Sequence, residues 1–353
     1  MITPKLDIIL GIDSHRDTVV CAALDELGRR LAVRSFPTTS AGYGALLTWA
    51  HGLGTVRDAG IEGTASYGAM AMKYLRAVGI RVTEVNRPDR ARRRRRGKND
   101  ATDAENAARA VLSGDAEAVP KAQDGAVEAL RTLMVVRRSA VKARTQAGNQ
   151  LRALLVTAPP SEREALGRGT LATSMARCAR LAQDASDVLG RARQQALRAL
   201  ACRWLQLTGE LRELDAAIAK LASATAPRLL SRFGVGPHTA ATLLVAAGDN
   251  PERLRSEAAL AALCGVSPVE ASSGQTTRHR LNRGGDRQAN NALWTIALVR
   301  MRSDTRTRAY VERRRAEGRS LKEIMRCVKR YLARELYPLI LADLSSQRQT
   351  ALT

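Results

Sequence analysis

Aromatic side chains and long apolar runs are what this sequence has least of. Only 3% of its 353 residues are aromatic although 45% are hydrophobic, so the core must be built mostly from Ala, Leu and Val. That balance is more typical of helix-rich proteins than of β-sandwiches. No run of about 18 apolar residues occurs, and no charged start with an apolar stretch opens the chain, which argues against a membrane span and a signal peptide. We expect a helix-dominated cytoplasmic protein without a membrane partner.

Paired cysteines and compensating acidic residues are also missing. The sequence indicates neither a disulfide framework nor a zinc finger and predicts ordinary buried thiols, because its cysteines are scattered: Cys21, Cys178, Cys202, Cys264 and Cys327. Lys and Arg number 57 against 34 Asp and Glu, a net charge of +23 with no acidic tail. Neutralising phosphates releases counterions and gives sequence-independent affinity. The charge therefore predicts a polyanionic partner, with nucleic acid first.

Hydrophobic spacing and the positions of turn-forming residues divide the chain into three regions. Residues 1–118 show a β-meander with a "DELG" turn and then βαβ units, an α/β domain. In residues 119–226, apolar spacing of three and four from Leu133 to Leu154, and heptad spacing from Leu207 to Leu221, predict two long helices. Prolines and glycines between them favour an antiparallel hairpin or coiled-coil arm, and a plain helical bundle is the alternative. Residues 227–353 read as a mainly helical, basic domain.

Four carboxylates in the first region form a candidate catalytic centre. Asp13 follows the apolar strand "IILGI" and Glu62 follows "AGI", at strand ends where an open α/β sheet presents ligand groups. Asp100 and Asp103 open a helix three residues apart, which puts both on one face. Converging acids need a cation, and oxygen ligands suit Mg²⁺ or Mn²⁺, which can stabilise an in-line displacement at phosphorus. The alternative is that Asp100 caps the helix and Asp103 only favours its first turn.

A basic segment, "RPDRARRRRRGK", comes immediately before the helix that carries two of these acids. We expect it to hold the backbone of a nucleic acid, and a solvated basic tail is the alternative. Its candidate contacts are Arg92, Arg93, Arg94, Arg95, Arg96 and Lys98.

The C-terminal region contains two further candidate motifs. "GVGPHTAATLL" resembles a helix-hairpin-helix whose Gly234 and Gly236 shape a turn that presents backbone N–H groups to a phosphate, or else a packing turn. The segment "SSG" contains a serine that could attack phosphorus, because arginine stabilises developing phosphate charge, although such a segment is also a common loop. The nearby arginines are Arg278, Arg280, Arg283 and Arg287. The histidines show no ligand spacing. The sequence favours a structural role for His15, and contact with the site is the alternative because His15 lies near Asp13.

In this order the motifs resemble one family, the DEDD-type insertion-sequence transposases of the IS110 family. "GIDSHRDTVV", "IEGTASYG" and "KNDATDAENAA" are similar to its RuvC-like N-terminal motifs. "GVGPHTAATLL", "SSG" and "RGGDRQANNAL" are similar to its C-terminal transposase domain. The resemblance covers nearly the whole chain.

The resemblance implies an RNase H-like (RuvC-like) domain that binds Mg²⁺ through the four carboxylates, a coiled-coil dimerisation arm and a catalytic serine. Ser273 matches the family position best, with Ser272 as the second choice. The implied activity is cleavage and exchange of DNA strands through a phosphoserine link, guided by a bridge RNA. The resemblance also implies a homodimer or homotetramer located at a prokaryotic nucleoid. From the residues, two alternatives are a RuvC-like junction nuclease that uses metal-activated water and a non-enzymatic nucleic-acid binder.

Overall fold

The computed structural model describes residues 6–85, 99–182 and 184–352, with side chains described through residue 347. The chain groups into two compact units, Met1–Asp124 with Gly248–Arg255, and Gly125–Ala247 with Ser256–Thr353. The division into three domains at residues 118 and 226 stays a prediction. Among the described helices, none combines the length and the apolar character that crossing a membrane requires.

In its described residues, 6–85, 99–124 and 248–255, the first unit contains a five-stranded mixed sheet and three α-helices. Its strands are β1 (Asp7–Ser14), β2 (Thr18–Asp25), β3 (Arg30–Pro37), β4 (Thr55–Glu62) and β5 (Arg81–Val85). They lie in the order β3-β2-β1-β4-β5, with β2 antiparallel to both neighbours and β4 parallel to both neighbours. The helices are α1 (Ser40–Leu53), α2 (Ala69–Ala77) and α3 (Asp100–Leu112). The predicted meander followed by βαβ units, and hence the α/β class of this region, is confirmed.

The two faces of this sheet are covered by different helices. On one face, Ile12 and Ile61 of the strands share a core with Leu46 of α1 and Met72 of α2. The opposite face packs against α3, where Ala108 lies in a smaller cluster with residues of β1 and β2. The short segment Gly248–Arg255 also belongs to this unit, and its buried Asn250 bonds the backbone of residues 120 and 122.

Where the structure describes it, the second unit contains helices and one β-hairpin. Its long helices, α4 (Ala126–Val156) and α7 (Val188–Thr225), are the two that the apolar spacing predicts. They run antiparallel, since Arg137 pairs with Asp215 whereas Gly148, further along α4, lies beside Trp204, earlier in α7. Two short helices separate them where Pro159 and neighbouring residues interrupt the pattern, α5 (Pro160–Gly167) and α6 (Leu171–Ala179). A coiled coil stays a prediction.

The rest of the second unit consists of short helices, a hairpin and a long last helix. The helices are α8 (Pro227–Leu230), α9 (Pro237–Ala247), α10 (Glu257–Leu263), α11 (Arg287–Ser303), α12 (Thr305–Ala316) and α13 (Leu321–Leu352). The hairpin strands, β6 (Val269–Glu270) and β7 (His279–Arg280), are too short for the sequence pattern to reveal them. The prediction that every cysteine is buried is wrong for Cys202, which is exposed on α7, and Cys327 on α13 is only half-buried.

Candidate functional site

Asp13 and Glu62 occupy equivalent positions on neighbouring parallel strands. Ile12 of β1 pairs with Ile61 of β4, and each acid is the next residue along its strand. Side chains alternate between the two faces of a sheet, and the two isoleucines are buried on the face that α1 and α2 cover. The two carboxylates are therefore directed to the face that α3 covers, at strand ends, where the sequence pattern predicts them.

Two glycines allow α3 to lie directly against this face. Gly11 and Gly60 precede the two acids by two residues, so they share their face of the sheet. A Cβ atom added to Gly11 would lie 1.9 Å from the carbonyl oxygen of Ala104, and one added to Gly60 would lie 2.5 Å from that of Ala107. Only glycine permits so close an approach of strand and helix backbones. The missing side chains thus bring the start of α3 to the ends of β1 and β4.

Asn99, not Asp100, caps α3. The Asn99 side-chain oxygen accepts a hydrogen bond from the backbone N–H of Ala101 at 2.7 Å. The alternative interpretation of Asp100 as the helix cap is therefore wrong. The Asp100 side chain is 55% exposed whereas Asp103 is buried, and both lie in the first turn of the helix.

His15 joins the acids from β1 and α3. Its Nε2 lies 3.4 Å from Oδ2 of Asp13 and 3.3 Å from Oδ2 of Asp100. The sequence pattern favours a structural role for His15, and contact with the site, from its closeness to Asp13, is the alternative that these distances support. Strand alternation is the signal that could have identified it, because a residue two positions after Asp13 tends to lie on the same face.

This group of donors fits a divalent cation. Asp13, His15 and Asp100 each offer a ligand atom, and these atoms all lie within 4.8 Å of one another. An ion with bonds of about 2.0–2.2 Å holds neighbouring ligand atoms about 3 Å apart, close to the His15 distances. Carboxylates suit Mg²⁺ and Mn²⁺, and the imidazole nitrogen adds a preference for first-row transition ions. Glu62, at the end of β4, and Asp103, in the first turn of α3, are not among these three donors, and their part in a metal site stays a prediction.

The serine candidates lie in the hairpin between β6 and β7. The Ser273 N–H donates to the Thr276 carbonyl at 3.2 Å and the Thr276 N–H donates back at 3.1 Å, which closes a tight turn around Gly274 at φ +55°. Ser272 Oγ instead accepts a hydrogen bond from the N–H of Arg278 at 3.1 Å. The Ser272 hydroxyl therefore fastens the hairpin, whereas Ser273 is at its exposed turn.

Helix α11, which follows the hairpin, is bonded to residues that precede the hairpin and to α13. Asn290 donates from Nδ2 to the carbonyls of Cys264 at 2.8 Å and Gly265 at 3.2 Å, and its Oδ1 accepts from Nζ of Lys329 at 2.9 Å. Asp286 caps α11. The four candidate arginines are exposed on the hairpin and the segment after it: Arg278, Arg280, Arg283 and Arg287.

The predicted phosphate contacts of the glycine turn before α9 and of the arginine run are not tested by the structure. Gly234 has φ +81° in the turn before α9, and the Gly236 N–H donates to Oγ1 of Thr239 at 3.0 Å, so that donor is bonded within the turn. A phosphate contact at Gly234 and Gly236 stays a prediction. The arginine run Arg92–Arg96 and Lys98 lie outside the described residues.

Acids gathered at one end of a mixed sheet, an exposed serine hairpin and a net charge of +23 together define a candidate metal-dependent protein of nucleic-acid processing. Residues 10–160 match a family model for transposases of the IS110 DEDD type. Residues 226–312 match a second model, for transposases of the IS116/IS110/IS902 family. The chain belongs to the IS110 family of transposases.

Two relatives show similarity over shorter segments. Over 112 residues the chain is 38% identical to a 43.6 kDa protein of insertion element IS110 from Streptomyces coelicolor. The matched segment covers 31% of this chain and 27% of that protein. Over 92 residues it is 34% identical to a 42 kDa protein of insertion element IS900 from Mycobacterium paratuberculosis, covering 26% and 23%. The chain thus spans roughly a quarter of the length of the curated relatives it matches.

Proposed function

We propose that this protein cleaves and exchanges DNA strands to move an insertion sequence, with a divalent metal site in its first unit and a serine nucleophile in its second. One observation carries the proposal: α3 packs on Gly11 and Gly60 and brings Asp100 beside His15 and Asp13. The strand order, with an antiparallel meander followed by parallel strands, supports an RNase H-like (RuvC-like) domain. The names of the relatives, both proteins of insertion elements, support a mobile element.

The metal site in this proposal consists of Asp13, Glu62, Asp100 and Asp103, with His15 as a nitrogen donor. The four carboxylates hold Mg²⁺ or Mn²⁺ at the ends of β1 and β4. When bound, such ions neutralise charge on a phosphodiester and hold it for in-line displacement. The burial of Asp103 keeps its carboxylate in a less polar surrounding than Asp100, where charges interact more strongly.

The nucleophile in this proposal is the hydroxyl of Ser273. Its oxygen forms an ester bond to the scissile phosphorus while the bond from phosphorus to a deoxyribose oxygen breaks, and the serine proton leaves to a base as the deoxyribose oxygen takes up a proton. The exposed Arg278 and Arg280 of the same hairpin supply positive charge for the phosphate oxygens. Because the phosphoserine ester retains the bond energy, attack by a deoxyribose hydroxyl of another strand rejoins DNA and releases the serine.

The partners in this proposal are donor and target DNA, a bridge RNA and further copies of the chain in a homodimer or homotetramer. The net charge of +23 supports a large polyanionic assembly. The arginine run Arg92–Arg96 is proposed to hold one of the two nucleic acids by its backbone.

A cleavage reaction with paired DNA substrates, Mg²⁺ and co-purified RNA tests this proposal. We expect a protein–DNA adduct that resists denaturation, that disappears in Ser273→Ala and in Asp13→Ala, and that persists in the matched control Thr277→Ala, which removes an exposed hydroxyl of the same hairpin. Undiminished cleavage by Ser273→Ala would point to a junction nuclease that uses metal-activated water. No cleavage under any condition, combined with DNA affinity that falls steeply with salt, would point to a non-enzymatic binder.

A further inference from the structure

A cavity of about 1080 Å³ opens within the second unit. Its walls come from the turn before α9, from the end of α11, from α12 and from α13, and it shares no residue with the metal centre or the serine hairpin. Small-molecule pockets occupy about 300–1,000 Å³, so this cavity lies slightly above that range. It has room for a flat base with its sugar and phosphate.

Two exposed aromatic rings line this cavity. Phe233 is 53% exposed and Tyr331 is 54% exposed, in a chain with very few aromatic residues. Tyr310 meets Tyr331 edge to face, with ring centroids 5.7 Å apart at 90°. One ring of such a pair keeps a face available, and the exposure of Tyr331 shows that its ring reaches solvent. Unpaired bases stack on rings of this kind.

The cavity also carries an excess of positive charge, because five arginines and two carboxylates line it. Arg300 donates to both oxygens of Glu335 at 2.7 and 2.9 Å. Asp304 caps α12 and accepts the N–H of Thr307 at 2.8 Å. Both carboxylates therefore have partners within the fold. Of the other lining arginines, Arg334 pairs with Glu257 at 2.9 Å and Arg313 lies 3.9 Å from Glu317, and Arg232 and Arg306 add further positive charge.

Arg313 places a positive charge beside the aromatic rings of the cavity. Its guanidinium lies 5.5 Å from the centroid of the Tyr310 ring, and its side chain is 69% exposed. A cation beside a stacking surface is the arrangement that binds a base and its adjoining phosphate together.

We infer that this cavity binds unpaired nucleotides of single-stranded DNA, with bases stacked on Phe233 and Tyr331 and phosphates held by the arginines. The inference rests on the proposed function, since strand exchange separates DNA strands and exposes base faces. Duplex DNA does not fit this chemistry, because its bases are stacked on one another and offer no free face.

Binding of an oligodeoxynucleotide that contains 2-aminopurine tests the inference, with the full chain, in EDTA and at elevated salt. Stacking on an aromatic ring quenches the fluorescence of 2-aminopurine, whereas phosphate contacts do not. We expect quenching by the wild-type chain, its loss in Tyr331→Ala and Phe233→Ala with affinity weakened about 5- to 100-fold, and its retention in Tyr331→Phe. Trp294→Ala is the matched control, because Trp294 is 43% exposed in the same unit and does not line the cavity.

Three outcomes would overturn the inference. The first is unchanged quenching and affinity in Tyr331→Ala and Phe233→Ala, and the second is an equal loss in Trp294→Ala. The third is that Tyr331→Ala and Phe233→Ala weaken the binding of RNA of the same sequence but leave the binding of single-stranded DNA unchanged. The assay contains no metal and needs no cleavage, so it succeeds or fails independently of the proposed strand chemistry.

Discussion

Replacing Gly11 by alanine tests whether close packing of α3 on the sheet builds the metal centre. The added Cβ would lie 1.9 Å from the carbonyl oxygen of Ala104 and 2.4 Å from the backbone nitrogen of Ala108. Neither backbone atom can rotate away, so α3 must move by about 1.5 Å to restore an ordinary contact. Overpacking of this kind costs about 1–3 kcal/mol, and we expect a loss of unfolding free energy near the upper end, about 3 kcal/mol.

The same movement changes the metal site, because Asp100 and Asp103 travel with α3 while Asp13 stays on β1. We therefore expect Gly11→Ala to weaken Mn²⁺ binding, measured by titration calorimetry, together with the loss of stability, measured by urea unfolding. Gly60→Ala is expected to act in the same direction, since its Cβ would lie 2.5 Å from the carbonyl oxygen of Ala107.

Gly52→Ala is the matched control. Gly52 lies in α1, and nothing stands within 4 Å of an added Cβ. Alanine in a helix is favoured over glycine by about 0.5–1 kcal/mol, so we expect equal or higher stability and unchanged metal affinity. A Gly11→Ala chain with wild-type stability would refute the role of close packing. A chain that loses stability but keeps its Mn²⁺ affinity would refute the link between packing and the metal site.

Three further predictions concern single groups or one segment. His15→Ala should weaken Mn²⁺ binding at least about 10-fold, and Mg²⁺ binding less, because a nitrogen donor is removed; calorimetry measures both, and His51→Ala on α1 should change neither. The Thr307 hydrogen bonds hold the pKa of the Asp304 carboxyl below its usual value. Its contribution to stability is therefore present above about pH 4 and lost as pH falls through the lower folded pKa. Asp304→Ala should cost about 1 kcal/mol at pH 7, and the difference from wild type in urea unfolding should shrink towards pH 3; a difference independent of pH would contradict this. Glutamine at Arg92–Arg96 should lower the slope of log affinity for DNA or RNA against log salt by about 0.9 for each phosphate that is no longer neutralised, and an unchanged slope would show that this run is a solvated tail.

Local sequence pattern predicted most elements of the first unit and both long helices of the second. An apolar run, a turn signal and a helical period are properties of neighbouring residues, so β1, β4 and α4 follow from them directly. The hairpin of β6 and β7 was not predicted, because two-residue strands have no period. Asp100 was misassigned in the alternative interpretation because Asn99, the residue before it, is an equally good cap and takes that position.

The sequence by itself determined that Asp13 and Glu62 stand at strand ends and that Asp100 and Asp103 share a helix turn, because each statement depends on residues next to one another. Only the tertiary structure decided that two of them, Asp13 and Asp100, meet at His15, since helix α3 lies on Gly11 and Gly60 and brings Asp100 to β1. The cavity of Phe233 and Tyr331 likewise exists only once the turn before α9, the end of α11, α12 and α13 are packed together. Contacts between distant residues depend on how closely backbones approach, and that distance is set by the packed side chains, or by their absence, on both partners.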